Sequence, residues 1–324
     1  MKFFITGATG FIGSHLCHQL INEGHEIVAL IRSPEKAKKL PERNVELIQG
    51  DLLSFKNDDY NIPECDVVIH LAGVTTSINE ADYFKYNFDA VMDLVECLNR
   101  QSWKPKRFVF ASSLAAGGPS EPNKPLTEKD VPKPIELYGQ AKLKAEEFLK
   151  TVPFPVTSFR PAIVLGTGDE YSLTLFKMAK KGLGIKVAGI NQQISYIDVD
   201  DLNDAIIKMC MEESAESKCY FVSYKEHTDL QTLWYTLGKA VNRKMLMIHI
   251  PKFMLFQLTL FSSLLSKVSP ALGKLDRKQY EQMIQPSFLC SSEKLQKELS
   301  WQPKYDVYEM TRRAAIGYKK LGML

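Results

Sequence analysis

Apolar runs alternate with amphipathic or polar segments along the first half of the chain. The run KFFITG ends in a glycine and is followed by ATGFIGSHLCHQLINEG, in which apolar residues recur at helical spacing. The apolar runs HEIVALIR, VELIQGDL and CDVVIHLAG come next, each bounded by polar or glycine-containing segments. A helix is predicted from about Tyr83 to Arg100, and RFVFASS and PVTSFRPAIVLG predict two further strands. Strands that alternate with helices predict an α/β fold with a doubly wound parallel sheet.

The first predicted strand leads into a glycine-rich turn. Gly7, Gly10 and Gly13 give G-x-x-G-x-x-G, a variant of the G-x-G-x-x-G dinucleotide fingerprint. Glycine allows a tight turn, and the N-terminus of the following helix offers N–H groups and a positive dipole end to a pyrophosphate. The pattern therefore predicts a Rossmann-type fold. Because ligands bind beyond the carboxyl ends of parallel strands, the residues expected to meet there are Gly7, Arg32, Asp51, Ala72, Ser113 and Pro161.

A tyrosine and a lysine share one face at the start of a later helix. In ELYGQAKLKAEEF, Tyr138 precedes Lys142 by about one turn, so the ammonium can lie close to the phenol. A nearby cation favours the ionised phenol, which would make Tyr138 usable as an acid or a base. The alternative is a surface pair without a function, since Y-x-x-x-K recurs by chance in long chains.

Composition narrows the class of ligand. The chain has 324 residues, of which 41 are basic and 38 acidic, for a net charge of +3. This balance favours a small-molecule substrate over nucleic acid as the partner. The cysteines form no CxxC pair and the histidines join no ligand cluster, so no metal site is predicted. Glycines follow MKFFIT too early for the apolar segment of a signal peptide, which predicts a cytoplasmic location.

The motifs TGATGFIG, GDL, HLAG, ASS, YGQAK and RPAIVLG occur in this order. Together they resemble the extended short-chain dehydrogenase/reductase superfamily, which includes the NAD-dependent epimerase/dehydratase family. The segments YIDVDDLNDAI and KELSWQPKYDVYEMTRRA extend the resemblance over almost the whole chain. It implies an oxidoreductase whose catalytic set is Ser113, Tyr138 and Lys142, with Ser112 as the competing serine.

The resemblance also implies a role for each of the three residues. Tyr138 is expected to exchange a proton with the substrate oxygen, and Ser113 to hydrogen-bond that oxygen. Lys142 is expected to lower the pKa of Tyr138 and to hold the nicotinamide ribose. Asn87 matches a position that braces the active-site strand in the family, although a place on a helix surface is the alternative.

Arg32 bears on the choice of cofactor. It follows the second strand in VALIRSPEKAKK, where a carboxylate usually grips the ribose of NAD and an arginine suits the 2′-phosphate of NADP. NADP(H) is therefore the preferred cofactor, with NAD(H) as the alternative. With the resemblance added, the predicted cofactor-binding residues are Gly7, Thr9, Gly10, Phe11, Ile12, Gly13, Arg32, Asp51, Leu52, Leu71, Ala72, Gly73, Tyr138, Lys142, Pro161 and Ile163.

Two departures from the sugar-nucleotide enzymes of this superfamily favour a reductase or dehydrogenase. Those enzymes commonly carry an acidic residue after the second strand and an asparagine after the arginine of the sixth, where this chain has Arg32, Pro161 and Ala162. The differences resemble the dihydroflavonol-reductase and 3-beta-hydroxysteroid-dehydrogenase branch. An NAD-dependent sugar-nucleotide epimerase or dehydratase is the alternative, and a non-catalytic nicotinamide-binding sensor is a lesser one.

The resemblance further implies two domains and a homodimer as an option. A dinucleotide-binding domain would take residues 1–165 with a return at about 193–222, and a smaller mixed C-terminal substrate domain would take 166–192 and 223–324. The proline-rich stretch 117–134 predicts a loop over the active site.

The most apolar stretch, residues 252–272, predicts a core or substrate-pocket helix. On that interpretation Phe253, Met254, Phe256, Leu260 and Phe261 would face an apolar substrate. The alternative is an interfacial helix that contacts a membrane.

Overall fold

A computed structural model describes residues 1–266 and 277–324 of the chain. The strands in this part are β1 Lys2–Thr6, β2 Glu26–Ile31, β3 Val45–Gln49, β4 Val67–His70, β5 Arg107–Ala111, β6 Val156–Pro161, β7 Ile163–Leu165, β8 Leu183–Val187, β9 Gln193–Ile194, β10 Tyr196–Asp198, β11 Lys218–Val222, β12 Thr228–Asp229, β13 Leu246–Ile250 and β14 Ser287–Phe288. The α-helices are α1 Phe11–Asn22, α2 Ala81–Phe84, α3 Ala90–Arg100, α4 Leu114–Gly117, α5 Leu137–Leu149, α6 Glu170–Lys180, α7 Val199–Met211, α8 Leu230–Ala240, α9 Lys252–Ser266, α10 Arg277–Met283, α11 Glu293–Glu298 and α12 Val307–Lys320.

The central sheet has seven parallel strands in the order β3-β2-β1-β4-β5-β6-β11. The chain winds outward from β1 to β3, returns to β4 and then winds outward on the other side. The switch between β1 and β4 leaves a crevice beyond their carboxyl ends, which is where open parallel sheets bind ligands. The predicted α/β fold with a Rossmann-type doubly wound parallel sheet is confirmed.

Both faces of this sheet are buried, as parallel sheets require. Successive side chains of β1 alternate between two cores: Phe3 and Ile5 join the core beneath α1 and α7, and Phe4 joins the core beneath α3 and α5. The edge strand β3 is an exception, with Leu47 47% exposed. The apolar runs of the sequence are therefore continuous rather than alternating.

The remaining elements build a smaller region of mixed sheet and helix. Strand β7 pairs with β10, β8 with β13, and β9 lies between β12 and β14. Its own core includes Phe176, Trp234 and Tyr318 on α6, α8 and α12. A C-terminal domain of mixed type is thus present, while the residue limits given for the two domains stay a prediction.

Three local features differ from the predicted pattern. The predicted sixth strand breaks at Ala162 into β6 and β7, which belong to different sheets. The helix predicted from Tyr83 contains a π turn at Lys85–Asp89. Only a 3-10 turn, Pro34–Lys39, joins β2 to β3. In the described ranges, moreover, no helix has the length and apolar character needed to cross a bilayer.

Candidate active site

The glycine turn is fixed by close contact between the ends of β1 and β4. Gly7 has φ +77°, and a Cβ there would lie 2.7 Å from the Ala72 nitrogen. A Cβ at Gly13 would lie 2.2 Å from the Gly7 carbonyl oxygen. A side chain at either position would force the turn open. The turn delivers the chain to the N-terminus of α1, which no described side chain caps.

The structure places the other predicted cofactor residues at the same edge of the sheet. Arg32 is exposed just after β2, and Ala72 donates from its nitrogen to Thr6 Oγ1 at 3.4 Å. Pro161 ends β6 and Ile163 begins β7. The Phe11 ring lies near Gly166, because a Cβ at Gly166 would be 3.1 Å from that ring.

Asp51 and Leu52 lie in the turn after β3. The Asp51 carboxylate accepts from the backbone nitrogens of Leu53 at 2.8 Å and Ser54 at 3.1 Å, so it holds its own turn. Leu52 packs against the core beneath α3 and α5.

Asn87 is fully buried in the π turn and fastens the loop after β4. Its side-chain oxygen accepts from the Val74 nitrogen at 3.1 Å, and its amide donates to the carbonyls of Val74 and Tyr83, both at 2.9 Å. A Cβ at Gly73 would lie 2.4 Å from the Asn87 oxygen and 3.3 Å from Lys142 Nζ. Asn87 therefore braces this loop, and the surface alternative is wrong. A role in bracing the active-site strand stays a prediction.

Ser113, Tyr138 and Lys142 are brought together where β5 and α5 meet. Ser113 caps the one-turn helix α4, accepting from the Ala115 nitrogen at 3.1 Å, and its side chain also hydrogen-bonds Tyr138. Lys142 is buried, and its Nζ donates to the Ala111 carbonyl at 2.7 Å. That nitrogen lies 5.9 Å from the centre of the Tyr138 ring.

Burial affects the protonation of Tyr138 and Lys142 in the same way, because it favours the neutral form of each. Burial raises the pKa of Tyr138 to about 12, while its hydrogen bond with Ser113 acts in the lowering direction. Burial lowers the pKa of Lys142 to about 7, against the charge of Glu146, which raises it. Burial is the largest cause of both shifts. That Lys142 lowers the pKa of Tyr138 stays a prediction.

Ser112 points away from the trio into a buried network. Its hydroxyl donates to the carboxylate of Glu146, which also accepts from Arg160 Nε at 2.9 Å and from its Nη2 at 2.6 Å. All three side chains are buried. Sequence reasoning missed this network, although Glu146 stands one turn after Lys142 and Arg160 precedes the proline of the RPAIVLG motif.

A cavity of about 470 Å³ opens beside Ser113 and Tyr138. Its polar lining is Thr75, Thr76, Ser113, Glu136, Gln192 and Gln282, and its less polar lining includes Tyr83, Leu114, Leu137, Tyr138, Pro161, Ala162, Ile163, Tyr171, Ile194, Met283 and Phe288. Most of the far wall was not predicted, because it comes from short segments after residue 170 that carry no motif.

Two expectations about this cavity need correction. Phe253, Met254 and Phe256 of α9 are exposed and do not line the cavity, because α9 packs through its opposite side. The side chains of Leu260 and Phe261 lie outside the described residues. The stretch 117–134 packs toward the C-terminal region, with the Leu126 nitrogen donating to the Leu289 carbonyl at 2.9 Å, and does not line the cavity. In the ranges described, no three His, Cys, Asp or Glu side chains are grouped to hold a metal ion.

Comparison with known families decides the family. The sequence profile of the NAD dependent epimerase/dehydratase family matches residues 3–222. The chain belongs to this family. This match confirms the extended short-chain dehydrogenase/reductase superfamily that the motifs predicted. Relatives of the chain include a reductase and epimerases. The finer branch assignment stays a prediction.

Among curated relatives, ceramide reductase of Caulobacter vibrioides is 27% identical over 206 residues, covering 64% of this chain and 60% of the relative. UDP-glucose 4-epimerase of Bacillus subtilis is 30% identical over 164 residues, covering 46% of this chain and 47% of the relative. The chain thus aligns with only about half to three fifths of these two relatives.

Solved structures share the whole fold. A UDP-glucose 4-epimerase from Thermotoga maritima, solved with UDP-glucose, superposes with a TM-score of 0.80 at 20% identity and 99% coverage of both chains. MoeE5 in complex with UDP-glucuronic acid and NAD gives a TM-score of 0.77 at 19% identity, covering 99% of this chain and 100% of the other.

Proposed function

We propose that this protein is a nicotinamide-dependent oxidoreductase that interconverts a carbonyl and an alcohol on an apolar substrate, with NADPH as the preferred reductant. The observation that carries the proposal is the cluster of Ser113, Tyr138 and Lys142 at the carboxyl edge of the sheet, with Ser113 and Tyr138 facing one cavity. Ceramide reductase, a relative whose name denotes reduction of a lipid, supports the same class.

The turn after β1 fits a dinucleotide. The lack of a Cβ at Gly7 and Gly13 lets this turn pack tightly against the loop after β4 and against itself, and the N-terminus of α1, which no described side chain caps, suits a pyrophosphate. When bound, the nicotinamide supplies or accepts a hydride. Lys142 would hold its ribose, and Asn87 keeps the loop at Gly73 in place beside that lysine.

Ser113 and Tyr138 would handle the substrate oxygen. Ser113 donates a hydrogen bond to it and Tyr138 supplies the proton during reduction. A phenol whose pKa is raised to about 12 is protonated near neutral pH, as a proton donor must be. In the oxidative direction the same phenol has to lose its proton before it can act as a base.

Arg32 supports NADPH. It is exposed directly after β2 and has no ion pair or hydrogen bond among the described residues. It stands at the position where a carboxylate usually grips the ribose of NAD. We expect Arg32→Ala to weaken NADPH binding about tenfold by removing a charged hydrogen bond to the 2′-phosphate, with NADH binding unchanged. Fluorescence titration of both cofactors measures this, with Lys36→Ala on the neighbouring turn as the matched control. Equal weakening of NADPH and NADH by Arg32→Ala would remove the argument.

Tyr138→Phe tests the proton transfer. Turnover should fall by about 10²- to 10⁴-fold because the proton donor is lost, while NADPH still binds. The measurement is NADPH oxidation in a screen of aliphatic and lipid ketones and aldehydes. Tyr171→Phe, which alters another tyrosine of the same cavity, is the control and should retain turnover. Unchanged turnover in Tyr138→Phe would refute the assigned role.

An NAD-dependent sugar-nucleotide epimerase is the second candidate. It is favoured by the epimerases among the relatives and by polar residues in the cavity, such as Thr75, Gln192 and Gln282. Such an enzyme retains its NAD and returns the hydride, so UDP-glucose would be epimerised without net cofactor oxidation. Tightly bound NAD in the purified protein together with that conversion would favour this candidate over the reductase.

A further inference from the structure

Strand β13 and helix α9, which follow one another through Pro251, both expose apolar side chains. They are Leu246 and Ile248 on β13 and Phe253, Met254, Phe256 and Leu258 on α9; we call this set the 246–258 surface. Phe253 is 69% and Leu246 66% exposed. Isolated exposed apolar residues are ordinary, but a run of this kind on consecutive elements marks an interaction site.

An ordinary surface helix is polar on the side that faces water, but α9 is largely apolar on that side. Its buried positions in the described part are Leu255 and Thr259, each 2% exposed, and the Thr259 hydroxyl is turned back to the Phe256 carbonyl at 2.7 Å. The helix therefore buries a threonine and presents phenylalanine and methionine outward. Packing among the described residues leaves this apolar side uncovered.

The sequence segment that carries the 246–258 surface has charges of one sign. From Leu230 to Ser266 the sequence contains the basic residues Lys239, Arg243, Lys244 and Lys252 and no aspartate or glutamate. Arg243, Lys244 and Lys252 are exposed, and they flank β13 and the start of α9. Apolar side chains bordered by basic ones suit the boundary between acyl chains and anionic headgroups.

This surface adjoins the candidate active site. The rings of Phe256 on α9 and Tyr280 on α10 lie 5.5 Å apart, and Gln282 and Met283 of α10 line the cavity beside Tyr138. The Gln282 carbonyl is held by the side chain of Gln192, another lining residue, at 3.0 Å. One helix thus connects the exposed apolar side chains to the wall of the cavity.

We propose that the 246–258 surface docks on an anionic lipid bilayer, with α9 lying in the interface, so that an apolar substrate reaches the cavity from the membrane. The inference rests on the proposed function for its substrate, whereas the docking itself is independent of turnover. Docking at the interface needs no helix long enough to span the bilayer.

Flotation with phosphatidylcholine vesicles, with and without phosphatidylglycerol, tests the docking. The full-length protein should float with the anionic vesicles, less so at high salt. The double variant Phe253→Ser, Met254→Ser should bind at least about tenfold more weakly, while Ile316→Ser, on an exposed position of α12, should bind as the wild type. Lys244→Ala with Lys252→Ala should weaken binding to anionic vesicles by about fivefold per lysine and carries little risk of misfolding.

A wild-type protein that stays in solution with both vesicle types would overturn the proposal. So would a loss of self-association in the double variant, seen by light scattering, without vesicle binding of the wild type, because a second copy would then cover the surface. Turnover of a short water-soluble ketone with NADPH separates the two hypotheses. If no turnover is seen in any assay, the proposed function is contradicted, while flotation still tests whether the protein docks on the membrane.

Discussion

Two adjacent serines at the end of β5 have opposite surroundings. Because neighbouring residues of an extended strand point to opposite faces, Ser112 is directed to Glu146 beneath α5 while Ser113 faces the cavity with Tyr138. The motif ASS contains both and could not decide between them. What decides is the register of β5 against α5, which is a tertiary property.

Exchanging each serine for alanine should therefore separate activity from stability. Ser113→Ala is expected to lower turnover about 10²-fold through lost stabilisation of the substrate oxygen, with about 1 kcal/mol lost at the N-cap of α4. Ser112→Ala should cost roughly 1–3 kcal/mol of unfolding free energy, since it leaves a buried carboxylate oxygen short of a donor, with turnover near the wild-type value. Urea unfolding measures the stability of both variants, and NADPH oxidation measures their turnover. The reverse result would make Ser112 the functional serine.

Other single residues were predictable for a physical reason. The glycine turn follows from the lack of room for Cβ atoms, and Tyr138 and Lys142 share a face by helical spacing alone. Their pKa values were not predictable in the same way. Those values depend on burial, and a sequence pattern does not show how deeply the Lys142 side chain is covered.

At the scale of elements, α5 carries the chemistry along one face. Tyr138, Lys142 and Glu146 follow at intervals of four residues, and Glu146 pairs with Arg160 on β6. The buried ion pair ties the helix to the sheet next to the two predicted catalytic side chains. The Glu146 carboxylate also opposes the lowering of the Lys142 pKa.

Glu146→Gln should be strongly destabilising, by roughly 3–5 kcal/mol, because Arg160 would keep its charge without a partner. Glu147→Gln, at the next and exposed position, should change stability by less than about 0.5 kcal/mol. Chemical unfolding gives both values. Without the Glu146 charge Lys142 would lose its proton at a lower pH, so the alkaline limb of the turnover profile should move to lower pH. A purely structural role for Glu146 predicts no movement of that limb.

The elements of the central sheet were largely predictable because both faces are buried and the strands stand out as apolar runs. The break at Ala162 and the π turn at Lys85–Asp89 were not, since each serves a contact made elsewhere, β7 with β10 and Asn87 with the loop at Val74. Apolar spacing also failed for α9, because it does not tell which side of a helix the rest of the molecule covers.

On the scale of the whole molecule, the cavity is lined by residues of both the central sheet and the C-terminal region. His15 connects the same two regions. His15 on α1 contacts the Thr167 carbonyl at 2.8 Å through Nε2 and Asp200 at 3.2 Å through Nδ1. Both partners only accept, so the ring satisfies both contacts when it carries two protons. Arg313 of α12 binds the same Asp200.

This arrangement predicts a stability that falls as the solution becomes alkaline. Burial lowers the pKa of His15, but its bonds to Asp200 and Thr167 together raise it above the ordinary 6.5. A raised pKa in the folded state gives stability that is complete below pH 6.5 and is lost as the pH rises through the folded value. Because both side chains are partly exposed, we expect about 0.5–1 kcal/mol.

The measurement is the unfolding free energy of wild type, His15→Gln and His18→Gln across this pH range. The difference between wild type and His15→Gln should be largest on the acid side and should shrink as the pH rises. His18 lies on the same helix and hydrogen-bonds the Lys39 carbonyl, with no carboxylate paired to it among the described residues, so His18→Gln should track the wild type. A constant difference at all pH values would mean that His15 stabilises the joint by packing rather than by its charge.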